Sequence, residues 1–164
     1  MVYREAFKVQ SNNRTVTFHN VTEQAKEIIG RSAIKNGIVV VYSHHTTCCV
    51  ITQEAAFDMS MTGLETLQQD FVDAFEPIMP TCRREGDYLH PGPKALVFAE
   101  EHGEDAFGCH NTDAHLRSAL VGRSETIVLI DGKMDLGEFG FLYFIDFDQT
   151  RGRERTVQVQ IIGE

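Results

Sequence analysis

The chain has 164 residues, 42% hydrophobic and 24% charged, enough to bury a core as one globular domain and too apolar for a disordered or collagen-like chain. Fifteen Lys and Arg against twenty-four Asp and Glu give a formal net charge of -9, which repels phosphodiester backbones and anionic lipid and excludes general nucleic-acid binding as the expected function. No apolar run approaches the roughly 20 residues that span a bilayer, and the opening MVYREAFKVQ lacks the apolar stretch of a signal peptide, so a cytoplasmic protein without a membrane partner is expected.

From the start of the chain, Tyr3 to Val9 and Thr15 to Phe18 mix β-branched and aromatic residues around the polar Ser11-Asn12-Asn13-Arg14, which predicts a hairpin. Val21, Ala25, Ile28, Ile29 and Ala33 recur at helical spacing, with Asn20 as N-cap and Asn36-Gly37 as the stop. Ile38 to Tyr42 then reads as a buried strand ending at Ser43-His44-His45-Thr46-Thr47, with Cys48 to Thr52 as its continuation. Cys48 and Cys49 face opposite sides if they lie on a strand. With Cys82 and Cys109 they form no C-x-x-C pair, disulfide framework or zinc knuckle, and read as small buried hydrophobes in a reducing compartment.

Leu64, Leu67, Phe71, Ala74 and Phe75 suggest a second helix that stops before Pro77. Pro77 to His110 holds all four prolines and is predicted as a long loop, the kind that more often serves function than accident. Asn111 to Arg117 predicts a third helix, capped by Asn111 or Thr112 and closed by Gly122. Thr126 to Ile130, the tight Asp131-Gly132 turn, Phe139 to Phe147 and Thr156 to Ile162 complete the strands; Val157, Val159 and Ile161 alternate with Gln158 and Gln160. The expected fold is a single α+β domain over residues 1–164, with a mainly antiparallel, sandwich-like sheet and about three helices.

Phosphate-binding glycine loops, G-x-S-x-G and H-E-x-x-H are all absent. Among seven histidines, His45 follows a buried strand, His90 precedes a Pro-Gly turn and His115 falls in the first turn of the third helix. Three neutral imidazoles around one point with a fourth position open are the ligand set of a catalytic zinc; the same three rings also suit proton transfer. The start of the third helix offers unpaired N–H groups to an anion, with His115, Arg117 and Ser118 close enough to assist. Glu54 is a candidate base, imidazole-orienting partner or metal ligand, and Asp58 shares its face if a helix begins there. Cys109-His110, with His102 just before, is a weaker accessory candidate.

His45-Thr46-Thr47 followed nine residues after the histidine by Glu54, the Asp87-Tyr88-Leu89-His90 element, Asp113-Ala114-His115-Leu116-Arg117-Ser118 with Leu120 and Gly122, and Asp131-Gly132-Lys133 leading to Leu136-Gly137 together resemble the YjbQ family. This family is also called UPF0047 or the secondary thiamine-phosphate synthase family. The resemblance implies a homotrimer with the histidine blocks near a subunit boundary. It also implies a weak ability to join hydroxymethylpyrimidine diphosphate to a thiazole phosphate, giving thiamine phosphate and pyrophosphate. Carried over, His45, His90, His115 and Glu54 are the catalytic set, and the three histidines are the ligands of a divalent metal, zinc or magnesium. Thr47, Arg117 and Ser118 are the residues expected to help hold a small phosphorylated substrate.

The chain departs from the family pattern where Gly137-Glu138-Phe139-Gly140-Phe141 replaces Gly-Thr-Trp-Gln-Gly. Gln53 stands for the usual Asn, an Asp is displaced to Asp58, and the loop between His90 and His115 is longer. A metal-dependent hydrolase using the same histidines, and a non-enzymatic trimeric metal- or ligand-binding protein, are the alternative readings.

Overall fold

The computed structural model describes residues 1–164. In chain order its elements are β1 (Val2–Gln10), β2 (Thr17–Asn20), α1 (Thr22–Ser32), β3 (Gly37–Ser43), β4 (Cys48–Glu54), α2 (Thr66–Asp73), α3 (Pro93–Glu101), a 3-10 turn (Ala106–Cys109), α4 (Thr112–Val121), β5 (Ser124–Ile130), β6 (Lys133–Met134), β7 (Gly140–Asp146) and β8 (Glu154–Gly163). The strands form a five-stranded sheet, β1-β8-β3-β5-β6, and a three-stranded sheet, β2-β7-β4, with every pairing antiparallel. The α+β expectation therefore holds, with four α-helices in place of about three.

The small sheet is covered on both faces, which explains its sequence. On β7, Leu142 and Phe144 join the cluster shared with the large sheet and α1, while Tyr143 and Ile145 join a second cluster with Phe75 and Ala114. Cys48 and Cys49 divide in the same way between the two clusters. A strand buried on both sides needs no polar alternation, hence the unbroken apolar runs of β4 and β7. The outer face of the large sheet is open, and β8 alternates accordingly.

Asn20 acts one position away from its predicted place. Its Oδ1 accepts from the Thr22 backbone N–H at 3.1 Å and from the Thr22 hydroxyl at 2.7 Å, and α1 begins at Thr22. The Asp131-Gly132 turn forms as predicted: both residues adopt positive φ, 49° and 75°, and Ile130 pairs with Lys133.

Three expectations are corrected. β1 and β2 do not form a hairpin; β1 pairs with β8 and β2 with β7, in different sheets. The turn itself is present, with Asn12 Oδ1 accepting from the N–H groups of Arg14 and Thr15, but the strands diverge after it. The predicted loop after Pro77 contains α3, which starts with Pro93 at the first helical position, where a missing N–H costs nothing. Glu54 ends a strand, so it shares no helical face with Asp58.

No helix is long and apolar enough to cross a membrane. The ends of β3 and β7, the starts of β8 and α4, and the α3 to 3-10 segment supply the residues that line one cleft.

Candidate functional site

A buried polar network fixes the floor of the cleft. Asp146, at the end of β7 and fully buried, accepts from Arg155 Nε at 2.6 Å and from the Thr47 hydroxyl at 3.0 Å. Arg155 Nη2 also donates to Thr47 Oγ1 at 3.1 Å and stands 3.8 Å from Asp148. Asp148 in turn accepts from the Asn111 side-chain amide at 3.0 Å, tying the start of α4 to the end of β7. A buried charge this well partnered holds its neighbours in one geometry.

Two of the three singled-out histidines meet. The rings of His90 and His115 lie edge to face, with centroids 5.7 Å apart. The Thr112 hydroxyl donates its one hydrogen to the His90 carbonyl at 2.7 Å, so its contact with His90 Nδ1 at 2.9 Å must be donated by the ring. That sets the Nδ1–H tautomer and leaves Nε2 as the basic nitrogen of neutral His90. His45 is set differently: its Nε2 accepts from the Thr156 backbone N–H at 2.8 Å, so its own lone pair is engaged. Accordingly, no three His, Cys, Asp or Glu side chains stand together as a metal-holding group, and the expected three-imidazole ligand set is not assembled within one chain.

The cleft has two chambers with His115 in the wall between them. One, of about 500 Å³, is lined by His90, Phe98, His102, Cys109 and His115 among others. Phe98 and His102 stack there with centroids 4.0 Å apart. The other, of about 300 Å³, has no hydrophobic lining residue; His44, His45, Thr46, Thr47 and Asp148 line it together with Arg151, Arg153 and Arg155. Arg151 and Arg153 line both chambers.

The arginines are the functional candidates that sequence reasoning missed. Their signal is the spacing Arg151-x-Arg153-x-Arg155, three cations within five residues of an acidic chain, of which Arg155 lies on β8 and the other two just before it. Burial, then the charges of Arg153 and Arg155, pull the pKa of Arg151 down. Within the chain three carboxylates answer these cations: Glu104 pairs with Arg151 and Arg153, and Asp146 and Asp148 with Arg155.

Residues 5–164 match the family model described as UPF0047 protein YjbQ-like. The chain belongs to the YjbQ (UPF0047) family. It is 31% identical to a UPF0047 protein of Methanocaldococcus jannaschii, covering 100% of this chain and 99% of that one. Among solved structures, it is similar to a hypothetical protein of Aeropyrum pernix, with a TM-score of 0.74, 26% identity and 99% of each chain covered. It is also similar to an uncharacterized conserved YjbQ/UPF0047 family protein of Clostridium acetobutylicum, with a TM-score of 0.70, 27% identity, and 98% and 99% covered.

Of the residues carried over from the YjbQ pattern, Thr47 lines the polar chamber, but three others lie elsewhere. Arg117 is fully buried, with Nη2 donating to Glu76 Oε1 and to the Met79 carbonyl, both at 2.8 Å, and it joins α4 to the segment after α2. Ser118 is buried one residue on and donates to the Cys48 carbonyl at 2.6 Å. Both point into the core, where an anion cannot follow. Glu54 is exposed at the end of β4 remote from Thr47, across seven residues of extended strand or roughly 20 Å. Of the accessory candidates, His102 and Cys109 line the larger chamber. Burial pushes the Cys48 and Cys49 thiols up, so neither is poised as a nucleophile.

Burial, then the Arg155 and His44 charges, lowers the His45 pKa to about 4, and burial followed by His90 lowers that of His115. Both rings are neutral in the folded protein at neutral pH. As pH falls from 6.5 towards 4 the unfolded chain takes up protons that folded His45 refuses, so this contribution is complete above 6.5 and is lost as pH falls through that window. Urea midpoints between pH 7 and pH 5 are expected to fall less steeply for His45→Gln than for the wild type; equal slopes would remove His45 as a source.

Proposed function

We propose that this protein is an enzyme acting on a small phosphorylated substrate held in the polar chamber. The observation that carries this reading is the placing of Arg151, Arg153 and Arg155 beside the neutral rings of His45 and His115 in a chain of net charge -9. Acidic surroundings repel phosphate, and a local cluster of guanidinium groups is what offsets them.

Family resemblance supplies the reaction, formation of thiamine phosphate. The thiazole ring nitrogen attacks the methylene carbon of hydroxymethylpyrimidine diphosphate; the new C–N bond forms as the C–O bond to the diphosphate breaks, and pyrophosphate leaves with the electron pair. Little covalent work is asked of the protein. It must hold two reactants in line and stabilise the departing anion, which are the tasks of preorganised cations and dipoles. The arginines would take the pyrophosphate, and His90 and His115 would sit beside the carbon that changes partners.

A homotrimer belongs to the same reading. Glu54 cannot reach the cleft of its own chain, so the role expected for it requires a neighbouring copy. Sedimentation equilibrium giving only monomer would remove Glu54 from the site.

Purified protein incubated with both precursors is expected to yield thiamine phosphate, detected by mass spectrometry. His115→Ala should lower the rate by about 100-fold or more, within the range that a positioned imidazole contributes. A wild-type rate no higher than that of His115→Ala would reject the reaction.

A further inference from the structure

We propose that Glu104 is the resident occupant of an anion seat: its carboxylate lies on Arg151 and Arg153 where the phosphate groups of the substrate bind, and the substrate enters by displacing it. The seat presupposes the phosphorylated substrate proposed above and adds what holds the site before that substrate arrives.

Glu104 lies between α3 and the 3-10 turn, with its backbone N–H donating to the Ala99 carbonyl at 2.9 Å. Both carboxylate oxygens accept from Arg153 Nη2, at 3.0 and 2.8 Å, and one of them also pairs with Arg151 Nη1. A carboxylate and a phosphate use the same planar donors of a guanidinium, so each can stand in for the other. The three side chains keep 27 to 35% of their surface exposed, so the ion pairs are screened and exchangeable. One carboxylate brings a single negative charge to two cations, whereas a diphosphate brings two or more.

The remaining partners narrow the seat. Arg155 is already held by Asp146 and Asp148, so the exchangeable cations are Arg151 and Arg153. Arg151 Nε is buried without any hydrogen-bond partner, a donor that Glu104 leaves idle. The guanidinium of Arg151 rests on Gly108: a Cβ there would lie 2.7 Å from Nη1 and 2.9 Å from Cζ. Only glycine lets the cation lie against the backbone at that point. Glu104 and Gly108 both belong to the segment between α3 and α4, and both line the larger chamber. Release of Glu104 would remove the ion pairs that tie this segment to the residues just before β8, while the Thr150 hydroxyl still donates to the Gly108 carbonyl at 3.4 Å.

Isothermal titration of the full chain with inorganic pyrophosphate at low salt tests the seat. Wild type should bind, Glu104→Gln should bind about fivefold or more tightly because two cations are released, and Gly108→Ala should bind about fivefold or more weakly because its methyl pushes Arg151 aside. Gly108→Ala keeps an ordinary backbone conformation, so it tests the seat independently if Glu104→Gln misfolds. Affinity in Glu104→Gln equal to or below wild type, or unchanged affinity in folded Gly108→Ala, would overturn the proposal. The two readings fail separately. Pyrophosphate binding with the expected pattern but no thiamine phosphate sinks the reaction and keeps the seat, while product formation with unaltered pyrophosphate affinity in both variants does the reverse.

Discussion

Arg117→Ala is expected to lose about 3–5 kcal/mol of stability, the usual consequence of removing one partner from a buried ion pair. Arg117 has no exposed surface, and its guanidinium serves several groups at once. Nη2 donates to Glu76, to the Met79 carbonyl and to the Thr81 hydroxyl, Nε donates to the same carbonyl at 3.2 Å, and the group lies 5.8 Å from the Phe75 ring centre. Alanine would leave the Met79 carbonyl unpaired and deprive buried Asp113, 3.9 Å away, of its only nearby cation. For a chain of this size the melting temperature should fall by roughly 10 °C or more. Lysine should recover only part, since it restores the charge but not the planar fork. Pyrophosphate affinity of the folded variant should stay at the wild-type value, because Arg117 faces the core and not the cleft. A stability within 1 kcal/mol of wild type would show that the staple is dispensable; weakened pyrophosphate binding with stability retained would return Arg117 to the anion site.

What could be read from the sequence follows from which interactions are local. The period of α1 and the primed Asp131-Gly132 turn are each encoded within a few neighbouring residues, and each is found. Strand partners are not local: the pattern of Tyr3 to Val9 marks a strand buried on one face but carries no address, and β1 finds β8 at the other end of the chain. α3 was legible in principle, from Pro93 followed by a run of helix-compatible residues, but four prolines in the surrounding stretch outweighed it. At the site, the histidines stood out because imidazole is scarce and titrates near neutrality. The arginines did not, since three cations at alternate positions running into a strand also describe an ordinary solvated surface; only the fold shows that they face a cleft. Arg117 misled for the opposite reason. A cation near a helix start suggests an anion site, yet on this helix that face is turned inward against the segment after α2.

Asp146→Ala is expected to make the stability of the protein depend on added anion. The carboxylate accepts from Arg155, from Thr47 and, at 3.1 Å, from the Asp148 backbone N–H, all without solvent. Deleting it leaves Arg155, 7% exposed at its side chain, with Asp148 at 3.8 Å as its nearest countercharge. The loss should be about 3 kcal/mol, the lower end for a broken buried pair, because Asp148 retains part of the attraction. Asp146→Asn keeps the shape and most of the hydrogen bonds and should lose less. Arg155 lines the polar chamber, so in the alanine variant its uncompensated charge adds to those of Arg151 and Arg153. Any ligand that binds only the folded state stabilises it by RT ln(1 + [L]/Kd), about 2.7 kcal/mol at a hundredfold excess over Kd, and a tighter Kd enlarges that gain. Thermal melts with and without inorganic pyrophosphate should therefore show a larger ligand-induced rise for Asp146→Ala than for the wild type, and both rises should shrink in high salt. An equal or smaller rise in the variant would mean that Arg155 does not face the bound anion, and that Asp146 serves the fold alone.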